Sequence, residues 1–292
     1  MKSTVDCVPC YIRQVISTLR VAGVAEEKQY DIIYALFPTI AALDPLKTPA
    51  ENTSLVLFEV YRLLGMEDPY KEAKAASNDL ARRYFPVLER IIAANKDPLL
   101  TALKASVAGN AIDMGINPDF DVGASISREL ERDFQRSDVD ALRELLARGS
   151  PSLVVIGDNS GEIVFDSLLV ATLRRYATDL SFVVKGGPTL NDATVEDALD
   201  VGMDFLAKVL TTGNSYLGVI PELCSPALRA AIASASVVIA KGQANYETLA
   251  GTSLAGDKTF FLLQAKCPVI AAHLKVDLGD SVLVRNQPQP DA

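Results

Sequence analysis

Residues 151–162 read PSLVVIGDNSGE, and this stretch decides the fold. The apolar run of 152–157 passes through one glycine into Asp158-Asn159-Ser160-Gly161-Glu162. A helical stretch, IVFDSLLVATLRRYA (163–177), follows at once. A short strand apolar on both faces, followed by a helix, belongs to a parallel sheet covered on both sides. The runs SFVVKG (181–186), SVVIAKG (236–242) and FFLLQA (260–265) repeat the pattern, with VEDALDVGM (195–203) as a helical stretch among them. The spacing predicts a three-layer α/β/α sandwich with a mainly parallel sheet over 149–292, hence the α/β class.

Upstream the apolar period is helical. ENTSLVLFEVYRLL (51–64) predicts a helix stopped by Gly65, and the long stretch 70–95 predicts one bent or broken at Pro86. SDVDALRELLARG (137–149) predicts a helix capped by Ser137. No strand is read here, so residues 1–148 are expected to form an all-helical N-terminal region.

Composition narrows the function. Of 292 residues, 49% are hydrophobic and 22% charged, which provides a full core and excludes disorder. A net charge of −9 repels phosphate backbones, so no nucleic-acid partner is expected. One histidine, His273, excludes a His-rich zinc centre and leaves a Ser-His-Asp triad a single option. The opening residues carry no apolar export-signal core, and no apolar run approaches the roughly 18 residues of a membrane span. The expectation is a cytoplasmic protein with reduced thiols and no membrane partner.

In open α/β sheets the ligand crevice lies beyond the carboxyl ends of the strands. Three predicted strands end there in polar loops. The first supplies Asp158 and Asn159, the second Lys185 and Asp192, and the third Lys241, Gln243 and Asn245. Carboxylates and carboxamides without histidine or thiolate suit Mg²⁺ or Mn²⁺, and lysines beside them suit a phosphorylated substrate. A helix terminus contributes about 0.3–1 kcal/mol. Enzymes accelerate phosphate-monoester hydrolysis by up to ~10²¹-fold, so dipoles and lysines alone fall short and a metal is implied. Helix capping remains open for Asp158, Asn159, Ser160 and Asp192, as does simple solvation for Lys185 and Lys241.

Six strings lie in order along the chain: DCVPC (6–10), GNAIDMG (109–115), GDNSGE (157–162), KGGPTLND (185–192), KGQANYE (241–247) and AKCPVIA (265–271). In combination they resemble the DUF89 family, also called the ARMT1-like or damage-control phosphatase family, in its short archaeal and bacterial branch. That resemblance implies a helical N-terminal region and a metal-binding α/β/α core. It also implies a divalent-metal-dependent phosphatase that hydrolyses small phosphorylated metabolites, a form of metabolite repair, with Mn²⁺, Mg²⁺, Co²⁺ or Ni²⁺.

Carried over to this chain, the resemblance makes Asp158, Asn159 and Asp192 the metal ligands. Asp158 or Asp192 would also be catalytic, orienting the attacking water or taking its proton. Lys241 matches the lysine that holds the substrate phosphate. Lys185 stands where many relatives have arginine, which removes a bidentate grip. Asn245 joins the substrate-binding set, and Asn110 and Asp113 approach from the helical half on one helix face, with helix-end capping as their alternative. Cys7 and Cys10, with Cys267 and His273 as further partners, could form a second metal or redox site, or the thiols could simply be buried. Two other readings stand beside the phosphatase. An S-adenosylmethionine-dependent carboxyl methyltransferase would need a glycine-rich nucleotide loop, and GDNSGE is not one. A non-catalytic phosphometabolite-binding protein would use the lysines without a metal.

Overall fold

The computed structural model describes residues 1–114, 121–148, 151–177 and 179–288, and the side chains of Asp113 and Met114 lie outside that description. Nine helices precede residue 149 among the described residues. They are α1 (Val8–Val21), α2 (Glu26–Ala35), α3 (Phe37–Ala41), α4 (Pro49–Leu64), α5 (Lys71–Ala94), α6 (Pro98–Ala108), α7 (Asn110–Met114), α8 (Val122–Glu131) and α9 (Val139–Leu146). Five more follow: α10 (Glu162–Leu173), α11 (Val195–Asp200), α12 (Pro226–Ser234), α13 (Gln243–Leu249) and α14 (Pro268–Leu274).

The strands are β1 (Arg136–Ser137), β2 (Ser152–Ile156), β3 (Asp179–Val184), β4 (Lys208–Thr211), β5 (Val237–Lys241), β6 (Thr259–Gln264) and β7 (Ser281–Arg285). They form one sheet in the order β1-β7-β6-β5-β2-β3-β4. Every neighbouring pair is parallel except β6 and β7. Central β2 aligns Leu153 with Val237 on one side and Ser152 with Asp179 on the other. From β2 the chain builds β3 and β4 in one direction, then returns to place β5 on the opposite side. The carboxyl ends of β2 and β5 therefore sit at the topological switch point, where such sheets open a crevice.

Period-two alternation sends the strand side chains into two cores. Leu153, Val155, Phe182 and Ile239 pack on one face with Leu88 of α5, Leu103 of α6 and Phe165 of α10. Val154, Ile156, Val183 and Val238 pack on the other with Leu228 of α12, Leu249 of α13 and Ile270 of α14. Helices from the N-terminal half thus cover one face of the sheet, and a single core spans residues on both sides of 148/149. A smaller cluster around Tyr11, Leu19, Leu36 and Val60 holds α1, α2 and α4 together. Leu57 of α4 meets Leu190 and Leu217, which ties that bundle to the loops after β3 and β4.

Two local expectations are corrected and a third, the helix bent or broken at Pro86, is narrowed to an unbroken helix. The N-terminal region is not all-helical, because Arg136 and Ser137 add β1 to the edge of β7. Two polar residues carry no apolar period, and it is the partner strand that makes them a strand. Ser137 therefore does not cap α9; Asp138 occupies the N-cap, and its carboxylate accepts from the Arg285 backbone N–H at 2.7 Å. Helix α5 runs through Pro86 as one element. Buried Ala81, Leu88 and Ile92 on either side anchor it, so the loss of one N–H does not end it. No helix among the described residues is long and apolar enough to cross a membrane.

Phe182 is fully buried in β3, and its ring lies so close beneath Gly157 that a Cβ there would stand 2.8 Å from Cζ. Phe182→Ala is expected to destabilise the fold by about 3–5 kcal/mol in urea unfolding. A loss below ~1 kcal/mol would contradict the packing described.

Candidate active site

The turns after β2 and β3 are joined by their backbones. Gly157 N–H donates to Val183 O at 2.9 Å, Ala193 N–H to Asp158 O at 2.9 Å, and Ser160 N–H to Asn191 O at 2.8 Å. Asn159 and Asp192 form an isolated antiparallel bridge. This zipper brings Asp158, Asn159 and Asp192 together beyond the sheet, and all three are buried. From the other side of the switch point comes Gly242, directly after β5, with φ +81°. A Cβ on Gly242 would overlap the Asp158 carboxylate, so both the backbone angle and the space require glycine.

Two carboxylates in so dry a place resist ionisation. Asp158 is held well above the ordinary carboxylate range by burial, then by the nearby charges of Glu162 and Asp192, against the pull of Lys266 and Lys241. Asp192 is raised by burial too, with Lys185 opposing. Asp192 Oδ2 lies 3.4 Å from Lys185 Nζ and accepts no hydrogen bond among the described residues. One buried ammonium, Lys185, is paired with Asp192 Oδ2, and a second buried carboxylate, Asp158, stands beside that pair, so two carboxylates compete for nearby positive charge.

Beneath this trio lies an ion cluster. Lys241 is only 1% exposed, and its ammonium donates to Asp166 Oδ1 at 2.5 Å, Glu162 Oε2 at 3.0 Å and Ser106 O at 3.3 Å. Burial works against its charge, but Asp166 and Glu162 outweigh that and raise its pKa. Glu162 in turn accepts from Asn159 Nδ2 at 3.0 Å through Oε1. That bond turns the Asn159 amide nitrogen toward Glu162 and its carbonyl oxygen away, the orientation a hard-cation ligand needs. Ser106 Oγ completes the cluster by donating to Asp166 Oδ1 at 2.7 Å.

Comparison with known proteins decides the lineage. The sequence model of the damage-control phosphatase ARMT1-like domain matches residues 3–282. A damage-control phosphatase of Archaeoglobus fulgidus is 37% identical over 233 residues, 76% of this chain and 77% of that one. Another, from Pyrococcus horikoshii, is 36% identical over 82% of both chains. The crystal structure of a DUF89-family protein from Pyrococcus horikoshii superposes with a TM-score of 0.90 at 32% identity, covering 98% of this chain and all of the other. The chain belongs to the damage-control phosphatase, or DUF89, family.

Within this member of the family the predicted residues take unequal places. Asp158, Asn159 and Asp192 converge. Lys185 is buried next to Asp192 and donates to Gly218 O at 2.7 Å. The three ammonium donors of Lys241 are all occupied inside the protein, so it anchors the site from below instead of meeting solvent. Asn245 braces the crevice, donating to Gly157 O at 3.0 Å and Lys241 O at 2.7 Å, while its Oδ1 stays buried and unpaired among the described residues. Asn110 starts α7 and donates to Val107 O at 2.8 Å. Its neighbour Gly109 faces Glu162 so closely that a Cβ would stand 3.0 Å from Glu162 Cγ. The Asp113 side chain lies outside the described residues.

The cysteines are free thiols, and no group of three or more His, Cys, Asp or Glu stands at metal-holding spacing among the described residues. Cys7 packs into the α1–α4 cluster. Burial raises the Cys10 thiol, with Cys267 near enough to add to the effect. The trio at the switch point offers two carboxylates and one carboxamide, a set that leaves a hydrated hard cation its waters.

Sequence reasoning overlooked Lys266, Asp166, Ser106 and Tyr61. Lys266 is exposed just past the end of β6, and its charge acts on both Asp158 and Asp192. The signal that singled out Lys185 and Lys241, a lysine closing an apolar strand, was present in LLQAK as well. Tyr61 of α4 accepts the Leu190 N–H at 2.8 Å and steadies a residue held at φ 44° in the turn before Asp192. Nothing local in ENTSLVLFEVYRLL marks it.

Lys241→Met would leave Glu162 and Asp166 buried without their cation and is expected to cost about 3–5 kcal/mol at pH 8. Burial already pushes Asp166 up to about 6. Its folded pKa thus lies above its unfolded one, so protonation favours the folded state and the deficit should shrink as pH falls toward 5. Denaturant unfolding across that range checks both; a deficit independent of pH would count against an uncompensated Asp166.

Proposed function

We propose that the chain is a divalent-metal-dependent phosphatase acting on small phosphorylated metabolites, with its site at the carboxyl ends of β2, β3 and β5. The observation that carries this reading is the convergence, beyond the sheet, of two buried carboxylates, Asp158 and Asp192, with the Asn159 carboxamide. The donor set fits a hard cation: all three groups offer oxygen, two are anionic, and their carboxylates are reluctant to ionise without a nearby positive charge. Asp158, Asn159 and Asp192 would hold it. When bound, such a cation supplies the Lewis acid that phosphoryl transfer needs.

The remaining steps belong to side chains. Lys266, exposed at the mouth and acting on both carboxylates, meets the non-bridging oxygens of the incoming phosphate and gives it orientation. Glu162, held by Lys241, keeps the Asn159 carbonyl oxygen turned away from itself and toward the site. Asp192, with Lys185 beside its Oδ2, would help hold the cation and orient the attacking water or take its proton. Membership in a family whose curated relatives are named damage-control phosphatases supports the reaction class. The hard-oxygen donor set favours Mg²⁺ or Mn²⁺ over softer ions.

The test uses protein stripped with EDTA and dialysed, then assayed on p-nitrophenyl phosphate and a panel of sugar phosphates with Mg²⁺, Mn²⁺, Co²⁺ or Ni²⁺ added singly. Turnover restored by a divalent ion and reduced more than about 100-fold in Asp158→Asn is expected. Metal binding without turnover on any phosphate would favour a binding protein, and turnover insensitive to Asp158→Asn would overturn the ligand assignment. Lys266→Met, at an exposed position, is expected to raise KM about 10-fold or more while leaving thermal stability within ~0.5 kcal/mol of the parent. An unchanged KM would remove Lys266 from the site.

A further inference from the structure

A cavity of about 540 Å³ opens on the other side of α13, between α14, β6 and β7. Its wall carries Arg136, His273, Lys275 and Arg285, and among the described residues no aspartate or glutamate lines it. Phe261 and Val284 supply an apolar floor. In a chain of net charge −9, such a concentration of cations without acids is a local reversal of sign.

The cations are held differently. The Arg136 guanidinium is fixed by one bond, Nη1 to Leu274 O at 3.0 Å, and forms no ion pair among the described residues. Of its five N–H donors, that bond uses one. Lys275 caps α14 at φ 57° and is exposed, also without an ion pair among the described residues. Asp277 and Asp280 share a separate hollow with it, but neither lines this cavity. Arg285 is partly committed, 3.3 Å from Asp257 and stacked 5.9 Å from the Phe260 centroid. His273 Nδ1 meets Tyr246 Oη at 2.7 Å. Burial and the Met1 amine hold its pKa below the ordinary value, which accords with a positive field in the cavity.

We propose that this cavity is a second anion site, taking a small organic phosphate with two or more negative charges. Arg136 and Lys275 bind its phosphoryl oxygens, Arg285 assists from the rim, and the carbon frame rests on Phe261 and Val284. The volume is that of a metabolite site and exceeds what a single inorganic phosphate fills. Charge-assisted bonds from a planar, anchored guanidinium favour phosphate over less charged ligands. The site is distinct from the crevice, because none of Asp158, Asn159, Asp192, Lys185 and Lys241 lines it. Its ligand binds without a metal, which makes it separable from the proposed reaction.

The experiment is calorimetric titration of the full chain in EDTA and 0.15 M NaCl with fructose 1,6-bisphosphate, and with inorganic pyrophosphate as a second probe. Asp158→Asn serves as a background that disables the crevice. One saturable site per chain is expected in both the parent and Asp158→Asn, weakened at least about 10-fold in Arg136→Gln/Lys275→Gly. Glycine suits the positive φ of residue 275, so Lys275→Gly alone retains the fold and is expected to weaken binding should the double variant not fold. Absence of saturable binding of either probe, binding lost in Asp158→Asn, or affinity unchanged when Lys275 is replaced would each overturn the proposal.

Discussion

The ammonium of Lys241, shared between Glu162 and Asp166, is the interaction on which the rest of the structure depends. Removing three charged groups from water costs several kcal/mol per ion, and only close pairing with satisfied hydrogen bonds recovers it. The pairing ties together elements far apart in sequence: β5 through Lys241, α10 through both acids, and α6 through Ser106. A helix from the N-terminal half thereby becomes part of the wall under the crevice. The same cluster orients Asn159 through Glu162, so a structural ion pair and the pose of the Asn159 amide are one arrangement.

Close backbone approach makes such a buried acidic site possible. Gly242 lies against the Asp158 carboxylate, Gly109 against Glu162, and Gly161 against Ile112, where a side chain would collide in each case. The closest of these contacts, Gly242 on Asp158, keeps water from that carboxylate, and burial raises the pKa of both Asp158 and Asp192. Zippering of the two turns fixes the spacing of Asp158 and Asp192 by backbone bonds rather than by side-chain rotamers. Side chains held this way would lose little conformational freedom on binding a ligand, which is how a scaffold preorganises charge.

Legibility in the sequence followed burial. The central strands β2, β3, β5 and β6 are apolar on both faces and read clearly, and with them came the switch-point loops and the trio. The edge strands β1 and β4 did not, nor did buried β7 next to β1. KVLT of β4 is half exposed, SVLVR of β7 lies beside a polar tail, and Arg136-Ser137 is a strand only because Val282 and Leu283 are there to pair with it. Lys241 illustrates a different boundary. Its position after an apolar strand marked it as important, but whether an ammonium faces solvent or two buried acids is decided by α10 and α6. Asp166 reads as a lone acid in the middle of a mostly apolar helix, and its purpose emerges only when Lys241 arrives 75 residues later in the chain.

The charge distribution separates two ways of holding an anion. In the crevice, Lys185 and Lys241 are occupied by the protein's own carboxylates and carbonyls, and the proposed reading draws the positive charge for a phosphate from Lys266 and from a cation held by the trio. In the cavity beyond α13, Arg136 and Lys275 have no carboxylate along the wall among the described residues, and the proposed anion would meet them directly. Helix α13 borders both places: Gly242 at its start presses on Asp158, while Tyr246 near its middle lines the cavity. Opposite local charge on the two sides of one short helix is what the two proposed anion sites of a chain of net charge −9 would use.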